Sequence, residues 1–192
     1  KHMSKEISLL IIGAVISVIS TMIGLFSQLF VQSFLKNKGK AKIYLKKVYS
    51  KTDSKPWGFR NYTGGMIFIV PLWIEFHNTK EKKEIIRNLN LQLFANGKRT
   101  TNMIQASHYE KGEKKESYAN SGSYSFILEP TSISKYDLQF MIKKSDVEVD
   151  FDEVKLSYYD SKDKYHEVLI LKIEEPWKVS EQSIDKDWIP LK

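Results

Sequence analysis

The chain has 192 residues, with 30 Lys plus Arg against 23 Asp plus Glu, and no cysteine. That length suits one domain of ordinary size, and the lack of cysteine excludes disulfide frameworks, thiolate nucleophiles and sulfur-ligated metal sites. The net charge of +7 divides unevenly: residues 1–51 hold nine lysines and one acid, whereas residues 52–192 hold 21 basic and 22 acidic groups. A nucleic-acid-binding domain needs its basic excess on the folded part. Here the excess lies beside an apolar run, which points to a membrane surface and away from nucleic acid.

In chain order, residues 1–3 (Lys1-His2-Met3) read as a cloning remnant. A transmembrane helix is expected over 4–35. From Ile7 to Leu35 there are 29 residues without a charge, and Ile7 to Phe26 holds fourteen apolar residues, the other six being Gly, Ser or Thr. Such a helix reaches roughly 43 Å at about 1.5 Å per residue, more than a bilayer core requires. A cleavable signal peptide would be shorter, with a stronger charged start and an A-x-A-like site. Within the run, Gly13, Ser17, Ser20, Gly24 and Ser27, with Gln28 beside them, fall on one helical face, and bulky residues such as Met22 fall opposite. Small residues at that spacing allow helix backbones to approach, so self-association or a partner membrane helix is expected.

Residues 36–42 form a basic linker. Lys36, Lys38, Lys40, Lys42, Lys46, Lys47 and Lys51 outnumber the single Lys5 on the other flank, and the richer flank normally stays in the cytoplasm. The first six are expected to contact anionic lipid.

From residue 43 to 175 the periodicity becomes two-residue. Ile43, Leu45 and Tyr49 begin the first strand. Met66 to Phe76 is apolar on nearly both faces, as in a central strand, although Pro71 removes a ladder donor and implies a bulge or an edge. Leu89, Leu91 and Leu93 form a half-buried strand, Asn96-Gly97 is a hairpin turn, and Lys98 to Ile104 would return. His108 to Ser123 reads as an exposed loop. Strands resume at Tyr124 to Leu128 and at Tyr136 to Ile142, with Pro130 between them. A further strand starts near Val147 and continues, after a one-residue slip, through Val154, Leu156 and Tyr158. The turn Asp160-Ser161-Lys162-Asp163 leads to Leu169, Leu171 and Ile173. A tail over 176–192, with Trp177 and Trp188 near its ends, is placed to clasp the domain edge. The expected fold is therefore mainly β: an antiparallel β-sandwich of immunoglobulin-like size behind a single N-terminal transmembrane helix. A β-barrel is the main alternative.

No metal, cofactor or catalytic constellation is read from the sequence. His77, His108 and His166 lack the spacing of a metal helix or a triad, and no G-x-S-x-G, P-loop or H-E-x-x-H occurs. Asn61-Tyr62-Thr63 matches a glycosylation acceptor, of consequence only in a eukaryotic secreted chain. Asp146, Glu148, Asp150 and Asp152 would share one strand face, but no loop wraps them to supply calcium with enough oxygens, so a solvated face is expected. Trp57, Phe59 and Tyr62 either contact a partner or the membrane interface, or cap one end of the domain. The reading that follows is a non-enzymatic, membrane-anchored module, cytoplasmic by the lysine rule. It would bind a protein or small ligand and form a homo-oligomer or join a membrane-protein complex through its helix. The alternative is the same architecture outside the cytoplasm, as a cell-envelope binding or immunity module.

Overall fold

The computed structural model describes residues 4–47, 57–62, 64–111, 114–177 and 188–191. Residues 1–3, Tyr49, Lys51, Thr63 and most of the 176–192 tail lie outside that description. The molecule is mainly β, with two antiparallel sheets and one apolar N-terminal helix.

Helix α1 (Lys5–Asn37) has 33 residues and none is buried. It extends about 50 Å at about 1.5 Å per residue and is long and apolar enough to cross a bilayer. Apolar side chains line it without cover from the rest of the chain: Leu10 is 75% exposed and Phe30 74%. A Cβ added at Gly13 or Gly24 would meet nothing within 4 Å.

The first sheet has the order β13 (Trp188–Leu191), β1 (Ala41–Lys46), β3 (Gly65–Asn78), β10 (Ser132–Lys143), β6 (Ile104–Gln105), with β2 (Gly58–Tyr62) also paired to β3. The second has the order β12 (Tyr165–Trp177), β11 (Phe151–Tyr159), β4 (Glu84–Ala95), β5 (Lys98–Asn102), with β9 (Phe126–Leu128) also paired to β4. Both sheets contribute to one core. Ile43, Leu45, Phe68, Val70, Leu72, Ile74 and Phe140 come from the first, and Leu89, Leu91, Leu93, Val154 and Leu156 from the second. Phe68 meets Phe151 across the layers at 4.9 Å between ring centroids.

Pro71 is accommodated without a bulge. β10 pairs with β3 in unbroken register from Ser132↔Asn78 to Lys143↔Ile67. On the other side, β1 pairs only with residues 73–78 and β2 only with residues 65–69, which leaves a gap at Pro71. A strand residue directs its own N–H and C=O to the same side. The missing Pro71 donor therefore faces that gap, where its carbonyl accepts the Trp57 indole N–H at 3.0 Å.

Three expectations are corrected. Residues 108–123 are not a plain loop: β7 (His108–Lys111) and β8 (Lys114–Ser117) form a hairpin, followed by a 3-10 turn at Ala119–Gly122. Between these, Tyr118 is buried and its hydroxyl donates to Gln139 Oε1 at 2.6 Å. The return strand after Asn96-Gly97 ends at Asn102, and the chain crosses at buried Met103 to join the first sheet as β6. The strand near Val147 begins only at Phe151, because Lys144–Asp146 is a 3-10 turn; Asp146, Glu148 and Asp150 are thus off the strand, and Asp150 pairs with Lys144 at 3.0 Å. The tail does clasp the domain edge: β12 runs on to Trp177, and β13 pairs with β1 as the outer strand of the first sheet.

Candidate functional site

Two turns and the helix joint meet at one end of the sheets. Buried Asn78 closes β3 there: its amide donates to the carbonyls of Lys82 at 2.8 Å and Glu129 at 2.9 Å, and its Oδ1 accepts the Lys80 N–H at 3.1 Å. One side chain thereby orders the β3–β4 turn and ties it to the turn before β10. The next residue, Thr79, clamps the linker. Its backbone N–H donates to the Lys40 carbonyl at 3.1 Å. Its hydroxyl donates to the same carbonyl at 3.0 Å and accepts the Lys40 N–H at 2.9 Å. Gly39, at φ +115°, passes so close that a Cβ would stand 2.6 Å from the Thr79 carbonyl oxygen; only glycine fits both constraints.

Glu84, 3% exposed, starts β4. It pairs with Lys80 at 2.6 Å and accepts a hydrogen bond from the Ser161 hydroxyl, linking the β3–β4 turn to the β11–β12 hairpin. Burial pushes the Glu84 carboxyl up, but the hydrogen bonds from Lys80 and Ser161 outweigh it and hold the group below the usual glutamate range. Asp160 orders the hairpin in the same way. Its Oδ1 accepts the N–H groups of Lys162 at 2.9 Å and Lys164 at 3.0 Å, and its Oδ2 meets His166 Nε2 at 2.8 Å. Burial raises this carboxyl too, and those bonds, His166 first, bring it below its ordinary value. The His166 ring stacks on Tyr158 at 4.8 Å and 11°, and burial, with the nearby Asp160 charge, pushes the Tyr158 phenol up.

Between these groups lies a cleft of about 400 Å³. Gly39, Lys40, Lys80, Glu84, Asp160, Ser161, Lys162, Lys164 and His166 line its polar rim, and Ile43, Ile86 and Tyr158 its apolar side. Serine, histidine and aspartate all occur here, but not as a triad: Ser161 bonds Glu84, whereas His166 bonds Asp160. Among the described residues, no group of three His, Asp or Glu is placed to hold a metal ion.

The residues singled out from the sequence divide between the helix, the linker and the core. Gly13, Ser17, Ser20, Gly24 and Ser27 lie on α1, exposed. Lys36, Lys38 and Lys40 stand at the joint, with Lys42 exposed two residues further on. Lys46 and Lys47 stand further from the helix joint. β1 carries Lys46 about 17 Å beyond Ala41 at about 3.3 Å per residue. There it lies over the Trp73 ring at 5.9 Å, and Lys47 is buried at 8% exposure. Trp57 and Phe59, at 0% and 7% exposed, are core residues and offer no surface to a partner, whereas Tyr62 remains 46% exposed. Apart from Lys40, the polar residues of the cleft escape a sequence reading because their contacts are long-range: Ser161 and Glu84 are 77 positions apart. The polar turn at Asp160 was the one local signal.

Compared with protein-family models and with curated proteins, the chain matches none, so its function is read from its own residues.

Proposed function

We propose that the chain is a non-enzymatic, single-span membrane-anchored binding module, with an immunoglobulin-like β-sandwich held on the cytoplasmic side by its basic flank. Strand order supports the fold assignment. Taking β1, β3, β4, β5, β6, β10, β11 and β12 as strands A, B, C, C′, D, E, F and G, the sheets run A-B-E-D and G-F-C-C′, as in immunoglobulin domains. In that scheme the β3–β4 and β11–β12 turns are the B–C and F–G loops, two of the recognition loops of variable domains. The correspondence is an analogy of fold.

The observation that carries the functional reading is the junction. A wholly exposed apolar helix enters the domain at its recognition-loop end, through a linker clamped to the B–C loop. The site would then face the bilayer, with Lys36, Lys38 and Lys40 at the headgroup layer. The small-residue face of the helix is the surface for self-association or for a partner helix.

Two measurements test this reading. Alkaline carbonate should leave the full chain in the membrane fraction, and protease added to intact cells should spare the C-terminal domain. Extraction by carbonate would overturn the anchor. Digestion in intact cells would place the domain outside and favour the cell-envelope alternative.

A further inference from the structure

We propose that the cleft beside the helix joint binds a phosphorylated ring, such as the headgroup of an inositol lipid, presented at the membrane surface. This rests on the membrane-anchored reading for the source of the ligand, but not for its chemistry. Four lysines line the cleft against two carboxylates. Both carboxylates are already satisfied within the protein: Glu84 by Lys80 and Ser161, Asp160 by His166 and two backbone N–H groups. Lys40, Lys162 and Lys164 are exposed, and among the described residues none of the three has an ion-pair partner. They are the charges left for a ligand. Ammonium groups on flexible stems suit a phosphate, which they meet as compact point charges.

The remaining walls narrow the class. Ile43 and Ile86, at 4% and 3% exposed, lie on the apolar side with Tyr158, a surface on which a sugar or polyol ring can rest. The volume of about 400 Å³ lies within the roughly 300–1,000 Å³ of small-molecule sites, ample for one such ring. Lys40 stands three residues beyond the helix end at Asn37, at most about 11 Å of extended chain. A lipid headgroup can therefore enter the cleft without leaving its leaflet.

The test uses the full chain in nanodiscs and reads the thermal midpoint of the β domain. Inositol trisphosphate added to phosphatidylcholine nanodiscs should raise the midpoint, by roughly 5–10 °C at a hundredfold excess over Kd. Nanodiscs containing phosphatidylinositol bisphosphate should do the same, and phosphatidylserine at matched charge should not. The double variant K162Q/K164Q should lose both responses. K83Q/K98Q, which removes equal charge outside the cleft, should keep them. No rise with any probe overturns the site, and equal loss in both double variants overturns it in favour of diffuse surface charge. A rise with soluble inositol trisphosphate alone supports the ring-phosphate chemistry and overturns the lipid as its source. Carbonate extraction of the parent would remove the anchor without changing the response to the soluble probe, so the two readings fail separately.

Discussion

Pro71 and Trp57 show how one residue's deficit becomes another's constraint. A proline in a central strand leaves a ladder position without a donor, and here the lateral gap it faces is filled by an indole. Trp57→Phe keeps much of the apolar contact but withdraws the N–H from the Pro71 carbonyl. A buried acceptor left unpaired costs about 1–3 kcal/mol. Urea unfolding in detergent, followed by β-sheet circular dichroism, should show that loss, and an unchanged midpoint would mean the indole serves only as bulk. Glu84 gives a second prediction at this scale, with its sign set by the depressed carboxyl. Its contribution is fully present above the ordinary glutamate pKa and is lost as pH falls through the lower folded value, because the unfolded chain binds the proton first. Glu84→Gln should cost about 1–3 kcal/mol at neutral pH by withdrawing the charged acceptor of Lys80 and Ser161, and should flatten the fall in stability below the ordinary glutamate pKa. A parallel acid slope in parent and variant would exclude Glu84 as a contributor.

At the scale of elements, the alternation of Met66 to Phe76 was enough to identify a central strand, and Asn96-Gly97 enough to fix a turn: both residues have positive φ, 50° and 73°, as a tight hairpin requires. Against β11 the register shifts between Phe151 and Glu153 and again between Val154 and Lys155, with the extra residues on β12, whereas β11 keeps even register with β4 from Glu153 to Ser157. What alternation does not carry is where a strand changes sheets. Met103 is apolar and buried whichever sheet it serves, so the crossing into β6 left no mark in the pattern. The cleft was hidden for a related reason. Its carboxylates are read locally as surface charge, and only the fold brings Lys80 and Glu84 against Ser161. The helix offers the opposite case, in which pattern is all there is. Gly13 and Gly24 each cost about 1 kcal/mol of helix propensity relative to alanine, and no neighbour within the chain requires either. Detergent-solubilised protein should therefore be oligomeric. Gly24→Leu or Gly13→Leu should shift it toward monomer, whereas Met22→Leu on the opposite face should not; a loss of about 1.4 kcal/mol would already lower association roughly tenfold. Light scattering on the three variants decides, and a monomeric parent would remove self-association from the account.

At the scale of the molecule, β1 starts at the helix joint and leads away from it, and β3 alone spans fourteen residues, about 45 Å at about 3.3 Å per residue. The domain is thus long relative to its point of attachment, and a small change of angle at the joint moves its far end by many ångströms. Lys40 is held by three hydrogen bonds to Thr79 and Gly39 has no room for a side chain. Between the helix end at Asn37 and that clamp only Lys38 remains, and its backbone N–H donates to the Leu35 carbonyl at 3.0 Å. Identical protomers arranged about a rotation axis all meet through the same pair of surfaces. With the angle at the joint fixed, turning a given helix face toward the axis also selects which sheet edge, β12 or β6, is turned toward the neighbouring copy. Were the helices to associate, the helix seam and any contact between domains would be a single geometric choice, and a ring would close only where both are satisfied by the same angle of rotation.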